Sequence, residues 1–191
     1  LTDGFESSGA ALLLAAGSST RFGSDKRTLL FNEVPLLSYV VALYKRACPR
    51  VLVVVKPGDE GVYDLVDSSC EWVVASDAKV GMSRSIAAGV RALGSAPWAI
   101  VGLADMPYVS PDTVSQIARE MDGGATIARP YSGGRAGNPV GFNRRLFGSL
   151  MDLKGDRGAY ALIDHHIDHV VDVEVCDQGI FRDIDRPEDL T

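Results

Sequence analysis

The sequence predicts an α/β protein built on a mainly parallel sheet, and three observations predict it. Apolar, β-branched runs recur along the 191 residues, helical patterns separate them, and the first run breaks into a loop of glycines and serines. The runs are Ala10 to Ala15, Val51 to Val55, Trp72 to Ala75, Trp98 to Leu103 and Ala125 to Ala128. Uninterrupted apolar character is what a strand covered on both faces requires.

Between the runs, Leu36 to Ala47 places Leu37, Val40, Val41 and Tyr44 on one helical stripe, and Met82 to Leu93 does the same with Ile86, Val90 and Leu93. Both helices should cover the sheet. Ser110 as N-cap and Pro111 in the first turn open a further helix that ends near Asp122-Gly-Gly124. After Arg129 comes a turn-rich stretch, Pro130 to Pro139, and the short apolar run Val140 to Phe142, together read as an excursion from the sheet. Helices at Arg144 to Met151 and Ala159 to Asp164, a strand at Val170 to Val175 and a short strand at Phe181 to Ile184 complete the expectation.

Composition narrows the function classes. With 46% hydrophobic residues, residues 10–191 can bury one substantial core, which makes one domain preceded by a polar extension, residues 1–9. The net charge of −6 disfavours a nucleic-acid binder and leaves room for a local basic pocket holding a small phosphorylated molecule. Cys48, Cys70 and Cys176 are odd in number and far apart, so neither a disulfide framework nor a redox motif is indicated. Reduced thiols, no apolar stretch approaching the roughly 18 residues of a membrane span, and no signal-peptide layout give a cytoplasmic expectation. Leu1 in first place points to a trimmed start.

The residues with chemical potential cluster where strands end. In the loop after Ala10 to Ala15, Gly17 and Gly23 let the backbone approach a ligand, Ser18, Ser19 and Thr20 add donors, and Arg21 and Lys26 add positive charge. Polyphosphate is the expected guest. The spacing is not that of a Walker A loop, and an ordinary strand-to-helix loop with a solvated Arg and Lys is the plain alternative. Asp105 follows the strand Trp98 to Leu103, and Asp185 lies near the end of the chain; from distant positions they could hold Mg²⁺ together with substrate phosphates. Each also has a local explanation. Asp185 with Glu188 has the form of a helix start, and Asp105 could cap the turn at Pro107.

Gly81, Ser83 and Ser85 open a helix with small residues and hydroxyls, suited either to a nucleotide or to close packing of Ala87, Ala88 and Gly89 on the sheet, with Ser83 as N-cap. His165 and His169 would share a helical face, but neither H-E-x-x-H nor zinc-spaced cysteines accompany them. No nucleophile elbow is present.

Taken together, Leu14-Ala-Ala-Gly17 with Arg21-Phe-Gly-Ser-Asp-Lys26, Gly81-Met-Ser-Arg-Ser-Ile86, Leu103-Ala-Asp-Met-Pro-Tyr-Val109, Gly137-Asn-Pro-Val140, Gly155-Asp-Arg-Gly-Ala159 and Asp183-Ile-Asp-Arg-Pro-Glu-Asp-Leu190 resemble, in order, the molybdenum cofactor nucleotidyltransferase family. The resemblance implies a three-layer α/β/α sandwich with a Rossmann-like sheet of the nucleotidyltransferase (GT-A-like) type, and a site at the sheet's carboxyl edge. It further implies transfer of a nucleotidyl group from a nucleoside triphosphate to the terminal phosphate of molybdopterin. Nucleotide contacts are implied from Leu14, Ala15, Ala16, Gly17, Ser18, Arg21, Gly23, Lys26, Gly81, Ser83 and Ser85. Lys26, Arg21 and Asp105 carry catalysis, Asp105 and Asp185 hold Mg²⁺, and Asn138 faces the acceptor. A recipient molybdoenzyme is an implied partner.

Ala16, where the guanylyl branch typically has a second Gly, and Asp183 and Asp185, where that branch usually has asparagines, resemble the cytidylyl branch and so imply CTP. Two positions depart from the pattern: Tyr160 stands where Arg is common, and Ser83 where a second Gly is frequent. The alternatives are GTP or another nucleotide, a sugar or polyol phosphate as acceptor, or a non-catalytic cofactor carrier. The chain also stops a few residues into the helix that Pro187 begins, which leaves a truncation open.

Overall fold

The computed structural model describes residues 9–17, 25–67, 70–155, 158–186 and 189. The first apolar run forms β1 (Ala10–Leu14). A 3-10 turn over Lys26–Thr28, a small hairpin of β2 (Leu30–Phe31) and β3 (Val34–Pro35), and α1 (Leu36–Lys45) lead to β4 (Arg50–Val55). Then follow β5 (Glu71–Val74), α2 (Met82–Ala92), β6 (Trp98–Leu103), α3 (Pro111–Asp122), β7 (Ile127–Ser132), β8 (Arg135–Ala136), β9 (Val140–Asn143), α4 (Phe147–Met151), α5 (Tyr160–His165) and β10 (Val170–Glu174).

The sheet runs β10-β7-β9-β6-β1-β4-β5, with β8 attached to β7. β1 lies parallel between β4 and β6, with Leu12 opposite Leu52 and Val101. Alternation along the strands then sorts side chains to two faces. Ala11, Leu13, Val51 and Val53 pack with Leu37, Val40 and Tyr44 of α1 and with Val114 and Ile117 of α3. Ala10, Leu12, Leu52 and Val54 pack with Ile86 and Val90 of α2, Leu150 of α4 and Ile163 of α5. The result is the expected α/β/α layering on a mainly parallel sheet. Gly89 permits it locally, because a Cβ there would strike the side chain of Leu12.

Four expectations are corrected. Val140 to Phe142 is no excursion: it is β9, inserted antiparallel between β6 and β7. A strand returning through a tight turn must run antiparallel, and both faces of β9 are apolar enough to be covered. Phe181 to Ile184 is not a strand. Gln178–Phe181 is a 3-10 turn, nucleated by the Asp177 carboxylate accepting from the Gly179 amide, and the Ile184 amide donates one hydrogen bond to the Asp105 carbonyl at 2.8 Å. Ser83 does not cap α2; the cap position is Gly81, at φ 141°. His165 and His169 do not share a helical face, because α5 ends at His165 and His169 belongs to a separate 3-10 turn. By contrast Ser110 caps α3 as expected, accepting from the Asp112 amide. Among the described residues, no helix is long and apolar enough to cross a membrane.

Candidate functional site

The carboxyl ends of β1 and β6 lie side by side and supply the floor of the site. The Ala104 amide donates to the Leu14 carbonyl at 3.1 Å, and the Ala15 amide donates to Val54 at 2.8 Å, so both chains leave the sheet in register. Immediately beyond, Lys26 and Asp105 meet: the Lys26 ammonium donates to Asp105 Oδ2 at 2.5 Å and to the Ile184 carbonyl at 3.1 Å, and lies 3.7 Å from Asp185 Oδ1. A small cavity of about 40 Å³ lies here, lined by Leu14, Ala15, Gly17, Lys26, Arg27, Ala104 and Asp105.

The carboxylate side comes from the chain's last segment, strapped over α3. Asp177 Oδ2 accepts from the Ser110 amide at 2.8 Å and from Thr113 Oγ1 at 2.7 Å. Gly179 then passes against the Tyr108 carbonyl with no room for a Cβ. Downstream, Asp189 accepts from the amides of Asp185 and Arg186, and Tyr108 donates its hydroxyl to the Asp189 carbonyl. Between these anchors Ile184 is fully buried, which turns its neighbours Asp183 and Asp185 outward on one side. Asp105, Asp183 and Asp185 each offer an oxygen within 4.8 Å of the others.

That trio fits a divalent cation on physical grounds. Oxygen donors are what Mg²⁺ or a similar hard cation takes. Oδ1 of Asp105 is buried and has no hydrogen-bond partner among the described residues, a costly state unless something else satisfies it. Burial pushes the Asp105 carboxyl above the usual carboxylate range, the Lys26 ammonium opposes this, and the Asp183 charge adds to it.

On the other side of Leu14 lies a larger cavity of about 250 Å³. Its walls come from Met82 and Ile86 of α2, Val101 and Leu103 of β6, Val140 and Phe142 of β9, and Ala159, Tyr160 and Ile163 around α5. Among the described residues, only Arg129 and Asn138 bring nitrogen-bearing side chains to it. Arg129 is half-buried and donates Nε to Asp172 at 2.6 Å. Asn138 is fixed through its backbone, its amide donating to the Ile180 carbonyl at 3.0 Å.

The structure therefore brings together Leu14, Ala15, Gly17, Lys26, Asp105 and Asp185 on the charged side, and Asn138 on the apolar side. Ala16 is buried beside them. Ser83 and Ser85 are buried within α2 and line neither cavity, and Gly81 serves as the helix cap. Ser18, Arg21 and Gly23 lie outside the described residues.

Sequence reasoning missed Asp183 as a candidate ligand, although Asp-x-Asp in an extended segment was the available signal. It also missed Arg27, which is buried and forms a network with Asp25 and Asp59. Burial works against the Arg27 charge, but the hydrogen bonds it donates to Asp59 and Asp25 outweigh it and hold the guanidinium above its ordinary pKa. The same bonds hold both carboxyls below theirs.

Known proteins share this architecture. Residues 11–170 match the MobA-like NTP transferase domain, and the chain belongs to that family of nucleotidyltransferases. It is similar to a probable molybdenum cofactor guanylyltransferase of Trichormus variabilis, with 26% identity over 94% of this chain and 87% of that protein. It is also 27% identical to 2-C-methyl-D-erythritol 4-phosphate cytidylyltransferase of Enterobacter sp. strain 638, over 56% of this chain and 47% of that one. Among solved structures, the Mycobacterium sp. strain JC1 homologue of Mycobacterium tuberculosis Rv0371c superposes with a TM-score of 0.85 at 27% identity, covering 97% of this chain and 94% of its own. The family resemblance drawn from the motifs is thus borne out.

Proposed function

We propose that this nucleotidyltransferase joins a nucleoside monophosphate, CMP in preference to GMP, to the terminal phosphate of molybdopterin and releases pyrophosphate from the triphosphate. The observation that carries this reading is the adjacency at Leu14 of a small cavity holding Lys26 and Asp105, next to Asp183 and Asp185, and a larger, mainly apolar cavity to which Arg129 and Asn138 bring nitrogen.

In the reaction, an acceptor phosphate oxygen forms a bond to the α-phosphorus, and the bond from that phosphorus to the bridging oxygen of the pyrophosphate breaks. The nucleophile is already an anion, so no general base is required, in keeping with the absence of a His or Cys constellation among the described site residues. Charge neutralisation and positioning remain to be supplied. Lys26 stands beside the end of β1 and neutralises charge at the α-phosphate. Arg21 and the backbone of Gly17 to Gly23 serve the leaving phosphates in this reading. Asp105, Asp183 and Asp185 would hold a divalent cation, Mg²⁺ by preference, which when bound offsets triphosphate charge.

The apolar cavity favours a flat heterocycle over a sugar or polyol phosphate. Sugar hydroxyls would lose water against Leu14, Ile86, Val101 and Phe142 without gaining partners. A pterin edge instead matches a pair of polar groups such as Arg129 and Asn138. The base preference rests on Ala16, Asp183 and Asp185, which resemble the cytidylyl branch. GTP is the second reading, favoured by the guanylyltransferase name of the Trichormus relative.

Calorimetric titration of CTP and GTP, each with and without Mg²⁺, into the protein and its Asp105→Ala variant tests both points. Mg²⁺-dependent binding of CTP, lost in the variant, is expected. Preferential binding of GTP reverses the base assignment, and binding of neither nucleotide removes the enzymatic reading in favour of a cofactor carrier.

A further inference from the structure

Arg27 follows Lys26 in sequence, yet the two side chains part company. In a 3-10 turn successive side chains diverge by about 120°, so Lys26 reaches Asp105 while Arg27 turns beneath the site. There every N–H of its guanidinium finds an acceptor. Nε donates to Asp25 Oδ1 at 2.8 Å; Nη2 donates to Asp25 Oδ2 at 2.6 Å and Asp59 Oδ1 at 2.9 Å; Nη1 donates to Asp59 Oδ2 at 2.5 Å and to the Ala15 carbonyl at 3.1 Å. Asp59 is itself anchored, accepting from the Lys56 amide at 3.2 Å just past β4. One planar group therefore ties the end of β1, the turn after β4 and the residue before Lys26 into a single unit.

We propose that Arg27 is a positioning residue for the transfer reaction: its fork fixes the Lys26 turn against the end of β1, so that the Lys26 ammonium is held at the reacting phosphate. This rests on the nucleotidyl-transfer reading of Lys26. With its five N–H groups all engaged by protein acceptors, Arg27 is not itself a phosphate ligand, although it lines the small cavity. Only a planar, bidentate group can meet two carboxylates and a carbonyl at once; an ammonium keeps the charge but cannot span them.

That distinction sets the test. Arg27→Lys preserves charge balance with Asp25 and Asp59 while removing the fork. If Arg27 only neutralises buried carboxylates, the lysine variant restores activity. If it positions Lys26, kcat falls at least about tenfold while KM for the nucleotide moves less than about threefold, since displacements near 1 Å act mainly on the transition state. Folding is checked by the thermal midpoint. Should Arg27→Lys not fold, Asp59→Asn, which weakens one side of the fork, carries the same expectation with a smaller loss in kcat.

A second readout needs no turnover. Acylation by an N-hydroxysuccinimide ester, followed by mass spectrometry, should show Lys26 protected in the wild type and several-fold more reactive in the variant, with Lys45 and Lys154 unchanged. A folded variant with kcat within twofold of wild type, or Lys26 protected as before, overturns the assignment. If the wild type transfers no nucleotide at all, the functional reading fails while the labelling still decides whether Arg27 places Lys26.

Discussion

Two cavities share Leu14 and little else. The one beside Lys26 is about 40 Å³ and has Lys26, Arg27 and Asp105 in its wall; the one beneath α2 and α5 is about 250 Å³ and walled mainly by hydrocarbon. In the proposed reaction this difference would divide the labour of a transferase. Charge placed at the end of β1 acts on a phosphate whatever molecule carries it, so the small cavity would supply rate. Apolar walls stabilise nothing in a phosphoryl transition state, so the large one would supply choice of acceptor. Damage to the first should therefore lower kcat, and damage to the second should raise KM for the acceptor alone.

The largest break comes at Lys26. An ammonium about 4 Å from a phosphate charge at an effective dielectric near 20 contributes roughly 4 kcal/mol, or on the order of a thousandfold in rate. Lys26→Ala should lose about that much kcat in a pyrophosphate-release assay and keep its circular-dichroism spectrum. Retention of most activity would refute the role.

Asp105→Asn comes next, with a loss of a hundredfold or more and an opposite effect on stability. The folded protein holds the Asp105 proton more tightly than the unfolded chain, whose pKa is near 3.8. The group's contribution to folding is therefore present below pH 3.8 and lost as pH rises through the raised folded value, so the ionised form opposes folding of the cation-free protein at pH 7. The Asn variant should melt at or above the wild-type temperature at pH 7, with the gap closing as pH falls toward 3.8. Adding Mg²⁺ should raise the wild-type midpoint and leave the variant's unchanged. Asp25 and Asp59 run the other way: their lowered values mean that the Arg27 network stabilises above pH 3.8 and fades below it.

The same contrast explains what could be read from the sequence. The charged cavity is built from short motifs at strand ends, where polar residues interrupt apolar runs, so Lys26, Asp105 and Asp185 stood out. Asp183 stood out only as a branch marker and Arg27 not at all, because one repeats a neighbour's chemistry and the other is a cation that folds inward. The apolar cavity left almost no signal. Val101 read as ordinary strand interior and Val140 to Phe142 as part of an excursion from the sheet, and only the fold brings them together against α2 and α5. β9 was hidden for a related reason: Val140–Asn143 is only four residues long and follows a turn-rich stretch, so neither its strand character nor its place between β6 and β7 shows in the periodicity.

On the apolar side the effects should be smaller and confined to the acceptor. Asn138 is held by its own backbone, so truncating its side chain disturbs little else. Removal of one neutral hydrogen bond is worth about 1 kcal/mol, so Asn138→Ala should raise KM for the acceptor about fivefold. KM for the nucleotide and kcat should stay within twofold. A matching rise in nucleotide KM would mean that the two cavities are one site.

Tyr160 gives the finest cut. It is 62% exposed at the rim of the apolar cavity, where the resemblance sets an Arg. A cation at that rim would read the acceptor's charge, whereas a ring would read its flat face. An exposed stacking contact contributes about 0.5 to 1 kcal/mol, so Tyr160→Ala should weaken a pterin acceptor about threefold and Tyr160→Phe should not weaken it measurably. Measured with and without 0.5 M salt, the loss in Tyr160→Ala should be the same, because a stacking contact is not screened as a charge pair is. A salt-dependent loss would instead assign the rim to the acceptor's phosphate and move the boundary between the two cavities outward from Leu14.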